Sequence, residues 1–356
     1  MKISYLSVTT IAFLLCVVWS PVFSQDQNHE HDHGHEHGED HVHQEGGSHS
    51  ASPLKAIIVD GQNKYHPHWP KTTQMMKQYL EESGRFSVDV ERTKYLLQGE
   101  LAKEFPLDDG KEYEFLDIGK TDPDFAPQWS DYDVVVLNQG FGAAEWPEQT
   151  KTAFEKYMAE GGGLVVVHAA DNCFPQWKEF NLMTGLGGWG DRSEKDGPYV
   201  YYDQEQELVR DDSKGSGGGH GPQHTYEIVV RAEHPITAGL PTSWMHAQDE
   251  LYQQLRGPAE NMTVLATAWA DKEFKGTDRN EPLIMTVAYK KGRTFHLALG
   301  HADYSFECVG FITVFKRGTE WAATGEVTMK EVPNDFPGTE EPSTRKFEFK
   351  EMAGAN

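Results

Sequence analysis

Cysteine is scarce in this chain: three residues in 356, at positions 16, 173 and 308. A cysteine-stapled scaffold is therefore excluded, and so is a structural zinc site built from four thiolates. Cys173 and Cys308 could form one disulfide or stay as two buried thiols, and spacing leaves both open. Cationic side chains are also in the minority, with 32 Lys and Arg against 56 Asp and Glu and a formal net charge of −24. Such a surface repels phosphate backbones, so nucleic acid is excluded as a partner. The folded part has no HExxH motif. It also has no apolar run long enough to span a bilayer.

The N-terminus has the pattern of an export signal. Lys2 is basic, Ile11–Trp19 is a short apolar stretch, and Val22 and Ser24 precede a cleavage point before Gln25. Residues 1–24 are expected to be removed, which leaves a periplasmic or secreted protein with no membrane span. An uncleaved anchor is the competing reading. Residues 25–52 are a His-rich linker with eight histidines between His29 and His49, interleaved with Asp, Glu and Gly. No apolar periodicity runs through it, so disorder is expected, with loose affinity for transition metals.

What is abundant is core material. Aromatics make up 12% of the chain and nine residues are Trp. Short apolar runs alternate with amphipathic helices. Lys55–Asp60 (KAIIVD), Asp133–Asn138 (DVVVLN) and Leu164–His168 (LVVVH) read as buried parallel strands. Phe86–Val90 alternates and reads as a further strand. Thr72–Glu82 and the stretch after Pro147 read as helices, each with one apolar face. Tyr226–Arg231, Val264–Ala268, Leu283–Tyr289 and Thr294–Leu299 read as later strands. Lys290–Arg293 turns the last two into a hairpin, and Phe311–Ala323 is a final helix. The fold class is α/β: a Rossmann- or flavodoxin-like, mostly parallel sheet with an antiparallel hairpin extension, over residues 53–330. Residues 331–356 are a tail that wraps the surface. Residues 186–223 are glycine-rich and read as one long loop, of the kind that carries function.

In such sheets ligands bind beyond the carboxyl ends of the strands. Four strand ends deliver polar groups there. The first gives Gln62, Asn63, His66, His68 and Trp69, and the third gives Asn138. The fourth gives His168, Asp171 and Asn172, and the last gives His301. His246, Asp249 and Glu250 add an imidazole and two carboxylates. His168 stands where a nucleophile elbow would turn, yet Ala169 and Ala170 follow it, so covalent acyl transfer is excluded. The candidate catalytic groups are His168, His301, Glu250 and Asp171. Candidate metal ligands are His66, His68 and His246, for a divalent ion with zinc first. Gln62, Asn63, Trp69, Asn138, Asn172 and Trp189 are candidate carbohydrate contacts, with Trp177 and Trp244 as further aromatic surfaces. Each Trp is equally readable as ordinary packing. His234, before Pro235, is expected to fix a turn.

At these residues the chain resembles the ThuA-like (trehalose-utilisation) family. The similar stretches are Lys55–Asn63, Gly161–Asn172 (GGGLVVVHAADN), Trp177–Asn181, Gly185–Gly190 (GLGGWG), His234–Leu240, Asp249–Tyr252, Gly300-His301 and Arg317–Ala322. The resemblance implies a class I glutamine-amidotransferase-like fold without amidotransferase chemistry. It also implies a place in carbohydrate catabolism, beside oxidoreductases that make keto-disaccharides. Members of that family carry Asn-His-x-Trp after the first strand. Here the run is Asn63-Lys64-Tyr65-His66-Pro67-His68-Trp69, so His66 and His68 compete for that role. Three functions remain: metal- or His-assisted acid–base chemistry on a sugar, non-catalytic binding of a sugar or metal, or a structural partnership with a dehydrogenase.

Overall fold

The computed structural model describes residues 52–350. The expected signal peptide and nearly all of the His-rich linker lie outside the described residues. Fourteen strands and five α-helices follow one another from Leu54. In the first half, β1 (Leu54–Gln62), α1 (Trp69–Glu82), β2 (Phe86–Leu97), β3 (Glu114–Leu116), β4 (Val134–Leu137), α2 (Glu148–Glu160), β5 (Gly163–Val167) and α3 (Lys178–Thr184) alternate as expected. The second half runs β6 (Tyr199–Tyr202), β7 (Leu208–Asp211), β8 (Gly219–His220), β9 (His224–Val230), β10 (Ser243–Asp249), β11 (Tyr252–Gln253), β12 (Met262–Trp269), β13 (Asn280–Tyr289) and β14 (Gly292–Leu297). Helices α4 (Asp303–Phe306) and α5 (Val309–Thr324) complete it.

The main sheet has the order β10-β9-β12-β13-β14-β5-β4-β1-β2-β3. From β14 to β3 every pairing is parallel. From β14 to β10 every pairing is antiparallel. The α/β class is as the sequence predicts, but the antiparallel extension is half the sheet rather than one hairpin. The central strands are buried on both faces, which is why β4 and β5 read as unbroken Val runs. Met75, Met76, Tyr79 and Leu80 of α1 cover one face; Phe154 and Met158 of α2 cover the other. Helix α1 starts earlier than predicted because Pro70 sits in its first turn, where its missing N–H costs nothing.

The stretch 186–223 is not one open loop. Tyr199-Val200-Tyr201-Tyr202 are good strand formers hidden among polar residues, and they pair with Leu208–Asp211 as a hairpin. The tail from 331 packs against the start of α5, where Val309 N–H donates to the Ser343 carbonyl at 2.9 Å. Cys173 and Cys308 are both free and buried, in separate core clusters.

Helix α5 lies on β14 through Gly318. A Cβ there would come within 2.1 Å of the Phe295 ring. Overpacking of this kind costs about 1–3 kcal/mol. Gly318→Ala is therefore expected to lower the unfolding free energy by that much, read by circular dichroism as a lower urea midpoint at unchanged slope.

Candidate metal centre

Strands β14, β5, β4 and β1 are parallel neighbours, so their carboxyl ends share one edge. Beyond β1, Asn63 Oδ1 lies 2.7 Å from Nδ1 of His66. This bond holds the ring and leaves Nε2 free. Gly140, after β4, must lack a side chain here: a Cβ would sit 2.3 Å from Asn63 Oδ1. Beyond β5, His168 takes φ 44, a backbone region that favours glycine. It occupies the strained elbow at which other α/β enzymes carry a nucleophile, and it offers an imidazole instead. Its Nδ1 donates to the Ala298 carbonyl at 2.9 Å, which again frees Nε2. Beyond β14, Gly300 at φ 113 turns the chain so that His301 faces its two partners.

The fourth group comes from the far edge. Three strands separate β10 from β14, so a flat sheet would put them about 19 Å apart. Orientation alternates along the antiparallel half, so β10 points the same way as β14 and ends at the same rim. The sheet coils far enough for Asp249, the last residue of β10, to accept from the Gly300 N–H at 2.7 Å and the His301 N–H at 2.9 Å. The same buried carboxylate accepts from the Glu250 N–H at 2.9 Å and meets His246 Nε2 at 2.9 Å. Asp249 thereby fixes both Glu250 and His301.

The result is a four-donor cluster: His66, His168, Glu250 and His301, whose ligand atoms all lie within 4.8 Å of one another. Glu250 Oε2 is 3.0 Å from His301 Nδ1 and 3.8 Å from His168 Nε2. The imidazole centroids are 5.0 Å (His66–His168), 4.7 Å (His66–His301) and 5.7 Å (His168–His301) apart. His66 Nε2, His168 Nε2 and His301 Nδ1 are buried and make no well-aligned hydrogen bond among the described residues, His301 Nδ1 lying 3.0 Å from Glu250 Oε2. Three orphaned ring nitrogens aimed at one carboxylate are costly unless something bonds them. A divalent ion fits: tetrahedral zinc with Zn–N bonds near 2.0 Å holds donors about 3.3 Å apart. The bonds that Asn63 and Ala298 make to the opposite nitrogens fix ring orientation and tautomer, as outer-shell partners of metal-bound histidines do.

The electrostatics favour the ligating protonation state at His66 and Glu250 and oppose it at His168. Burial, together with the neighbouring His168 and His301, holds the His66 pKa well below the usual histidine value, so His66 stays neutral. Burial opposes charge on His168, but Glu250 and Asp249 outweigh it and raise its pKa. Burial likewise opposes the Glu250 carboxylate; His168 and His301 overcome it and hold its pKa well below the usual carboxylate range.

The remaining sequence candidates are placed elsewhere. His68 is half-exposed and faces Asp303 at 3.8 Å, outside the cluster. His246 is buried against Asp249 and supports the cluster from behind. Asp171 is carried inward by the 3₁₀ turn His168–Asn172 and pairs with His296 at 3.2 Å. Trp69 is buried and donates to the Leu97 carbonyl. Asn138 donates to the Trp69 carbonyl, Thr72 and Thr73, pinning the start of α1. Gln62 bridges the Lys120 carbonyl and the Ala144 N–H. Asn172 bonds Tyr252 Oη and the Gly188 N–H. Trp177 and Trp244 are core residues; Trp189 is part-exposed near the site. His234 does fix a turn, accepting the Ile236 N–H at Nδ1.

Sequence reasoning missed His220. Its Nδ1 is 3.5 Å from Glu250 Oε1, on the solvent side. The available signal was its spacing of four from His224, although His224 stacks on Phe274 instead. Tyr252 was missed as well: its ring stacks on His168 at 4.0 Å.

The sequence model of the family described as ThuA, trehalose utilisation, matches residues 110–322. The chain belongs to the ThuA family. A crystal structure of a ThuA-like protein from Parabacteroides merdae is 42% identical to this ThuA protein, with TM-score 0.72, and the match covers 82% of this chain and 98% of that one. The glutaminase domain of Trypanosoma brucei CTPS also matches, at 10% identity and TM-score 0.38, over 79% of this chain and 98% of that one. No protein with a curated description matches.

Asn in place of Asp249 would turn an NH₂ group toward backbone N–H donors in either amide orientation. Asp249→Asn is expected to cost about 3 kcal/mol of stability. It should also weaken zinc binding, and chelator-competition titration alongside urea unfolding reads both effects.

Proposed function

We propose that this ThuA protein is exported, holds one divalent ion, zinc first, on His66, His168, His301 and Glu250, and acts by acid–base chemistry on a neutral sugar that carries a carbonyl. One observation carries the reading: three buried ring nitrogens without well-aligned hydrogen-bond partners converge on one carboxylate. The family's description as trehalose utilisation supports a carbohydrate substrate. Export rests on Lys2, the apolar stretch Ile11–Trp19 and the small residues at Val22 and Ser24.

A bound divalent ion supplies Lewis acidity toward a carbonyl oxygen. The protein's own groups do the rest. His66 and His168 are buried to 7% and 2% exposure and orient the centre from below. The His301 and Glu250 side chains keep 18% and 10% exposure, so the reachable side is theirs. Next to that side, His220 Nδ1 donates to the Gly221 carbonyl at 2.9 Å, which leaves Nε2 of the half-exposed ring to take a proton from carbon α to the sugar carbonyl, or return it to a leaving oxygen. Ser and Cys are absent from the elbow, so no acyl-enzyme step enters.

A second reading has its own support. Four protein donors close a tetrahedral shell, which is the habit of structural zinc rather than catalytic zinc. On that reading the protein binds sugar or metal without turnover. The two readings diverge on His220: its replacement by Asn abolishes turnover of keto-glycosides on the first and changes nothing on the second.

The metal itself is tested with a chain lacking residues 25–51, which removes the linker histidines. It is expected to keep about one zinc through dialysis against a weak chelator. His168→Ala and His66→Ala are each expected to lower affinity by about 100-fold. Ligating imidazoles must be neutral, and the His168 pKa is raised above its ordinary value of 6.5 by Glu250 and Asp249, so zinc affinity should already weaken as pH falls toward 6.5 and recover on return to higher pH. A truncated chain that elutes without zinc would remove the metal reading.

A further inference from the structure

We propose, resting on the metal reading above, that Trp189 is the stacking platform for one pyranose ring of a neutral glycoside bound beside the four-donor cluster. The indole is placed for it. Its ring centroid is 4.9 Å from that of Tyr252, and Tyr252 stacks on His168 at 4.0 Å. His220 lies 6.0 Å from the indole and 6.4 Å from Tyr252, and it approaches Glu250 Oε1 at 3.5 Å. The three rings form a triangle between a part-exposed Trp189 and the donor atoms. Trp69, Trp177 and Trp244 are exposed by 1%, 6% and 0%, so core packing accounts for them. Trp189 packs part of its surface against the core and leaves the rest exposed.

The backbone makes the stronger point. Trp189 has φ 54, a conformation that a bulky aromatic residue adopts only under constraint. The constraint is built from the two glycine-rich stretches of 186–223. The Trp189 N–H donates to the Gly217 carbonyl at 2.8 Å, and the Arg192 N–H donates to the Trp189 carbonyl at 3.0 Å. A Cβ on Gly218 would come within 2.6 Å of Trp189 N and 2.8 Å of its Cδ2. These glycines let two loop segments cross in contact and hold the indole where it is. Strain maintained around a ring that is not fully buried points to a ligand for its face.

The chemistry of that ligand follows from the surroundings. An indole face suits the alternating axial C–H bonds of a gluco-configured pyranose, while the equatorial hydroxyls reach sideways. His220 and the second oxygen of Glu250 are the polar groups on that side. The net charge of −24 disfavours sugar phosphates and uronates, so the ligand is neutral.

The test uses the full chain loaded with zinc, trehalose and methyl α-D-glucoside as probes, and trehalose 6-phosphate as the charged control. Titration calorimetry and saturation-transfer NMR read binding, and elemental analysis reads zinc in every sample. Trp189→Ala is expected to keep wild-type zinc content and weaken the neutral sugars at least tenfold, the scale of one lost stacking face. Trp189→Phe should lie between the two. If Trp189→Ala does not fold, Trp189→Leu keeps apolar bulk without a π face and carries the same test. Unchanged affinity in a zinc-replete variant overturns the proposal and leaves the metal reading intact. So does a zinc-loaded wild type that binds neither neutral sugar, or that prefers the phosphate. Wild-type protein without zinc defeats the metal reading instead, and sugar binding that still depends on Trp189 would then stand alone.

Discussion

One buried carboxylate joins the two halves of this molecule. Asp249 ends the outermost antiparallel strand, β10, and its two oxygens accept the N–H groups of Gly300, His301 and Glu250 and meet His246. The intrinsic twist of the sheet brings the end of β10 toward the end of β14, and that knot holds the two ends together. With it, a glutamate from one half meets three histidines from the other. The arrangement is strict because Asp249 is fully buried: each N–H it accepts has no water to turn to.

The charges at the rim then settle among themselves. Glu250 is kept ionised by His168 and His301, while burial and the same two rings keep His66 neutral. Each imidazole has one nitrogen at the cluster, and His66 and His168 have the other bonded to a fixed oxygen. That division suits a cation. The elbow after β5 fits the same logic. Its strained position bears His168 and brings an imidazole to the rim of the sheet.

Much of this was legible in the residues. The Val runs of β4 and β5 announced buried parallel strands, and the rule that sites form at strand ends located His168 and His301. Glu250 was visible as a carboxylate near the end of a strand, although nothing in the sequence placed that strand at the opposite edge. His66 and His68 could not be separated, because the Asn63 bond that selects His66 is a tertiary contact. Asp171 follows the elbow closely, yet one 3₁₀ turn carries it into the core beside His296. Trp69 and Asn138 lie at strand ends for another reason: they anchor the first turn of α1. His220 sat in a glycine-rich stretch whose β-hairpin and crossing loops depend on long-range pairing that no local pattern shows.

X-ray absorption at the zinc edge of the purified protein addresses the central claim most directly. The account predicts one zinc bound by three imidazole nitrogens and one carboxylate oxygen near 2.0 Å, with the imidazole count falling from three to two in His66→Ala. A spectrum dominated by sulfur or by water ligands would contradict it, as would one that His66→Ala leaves unchanged.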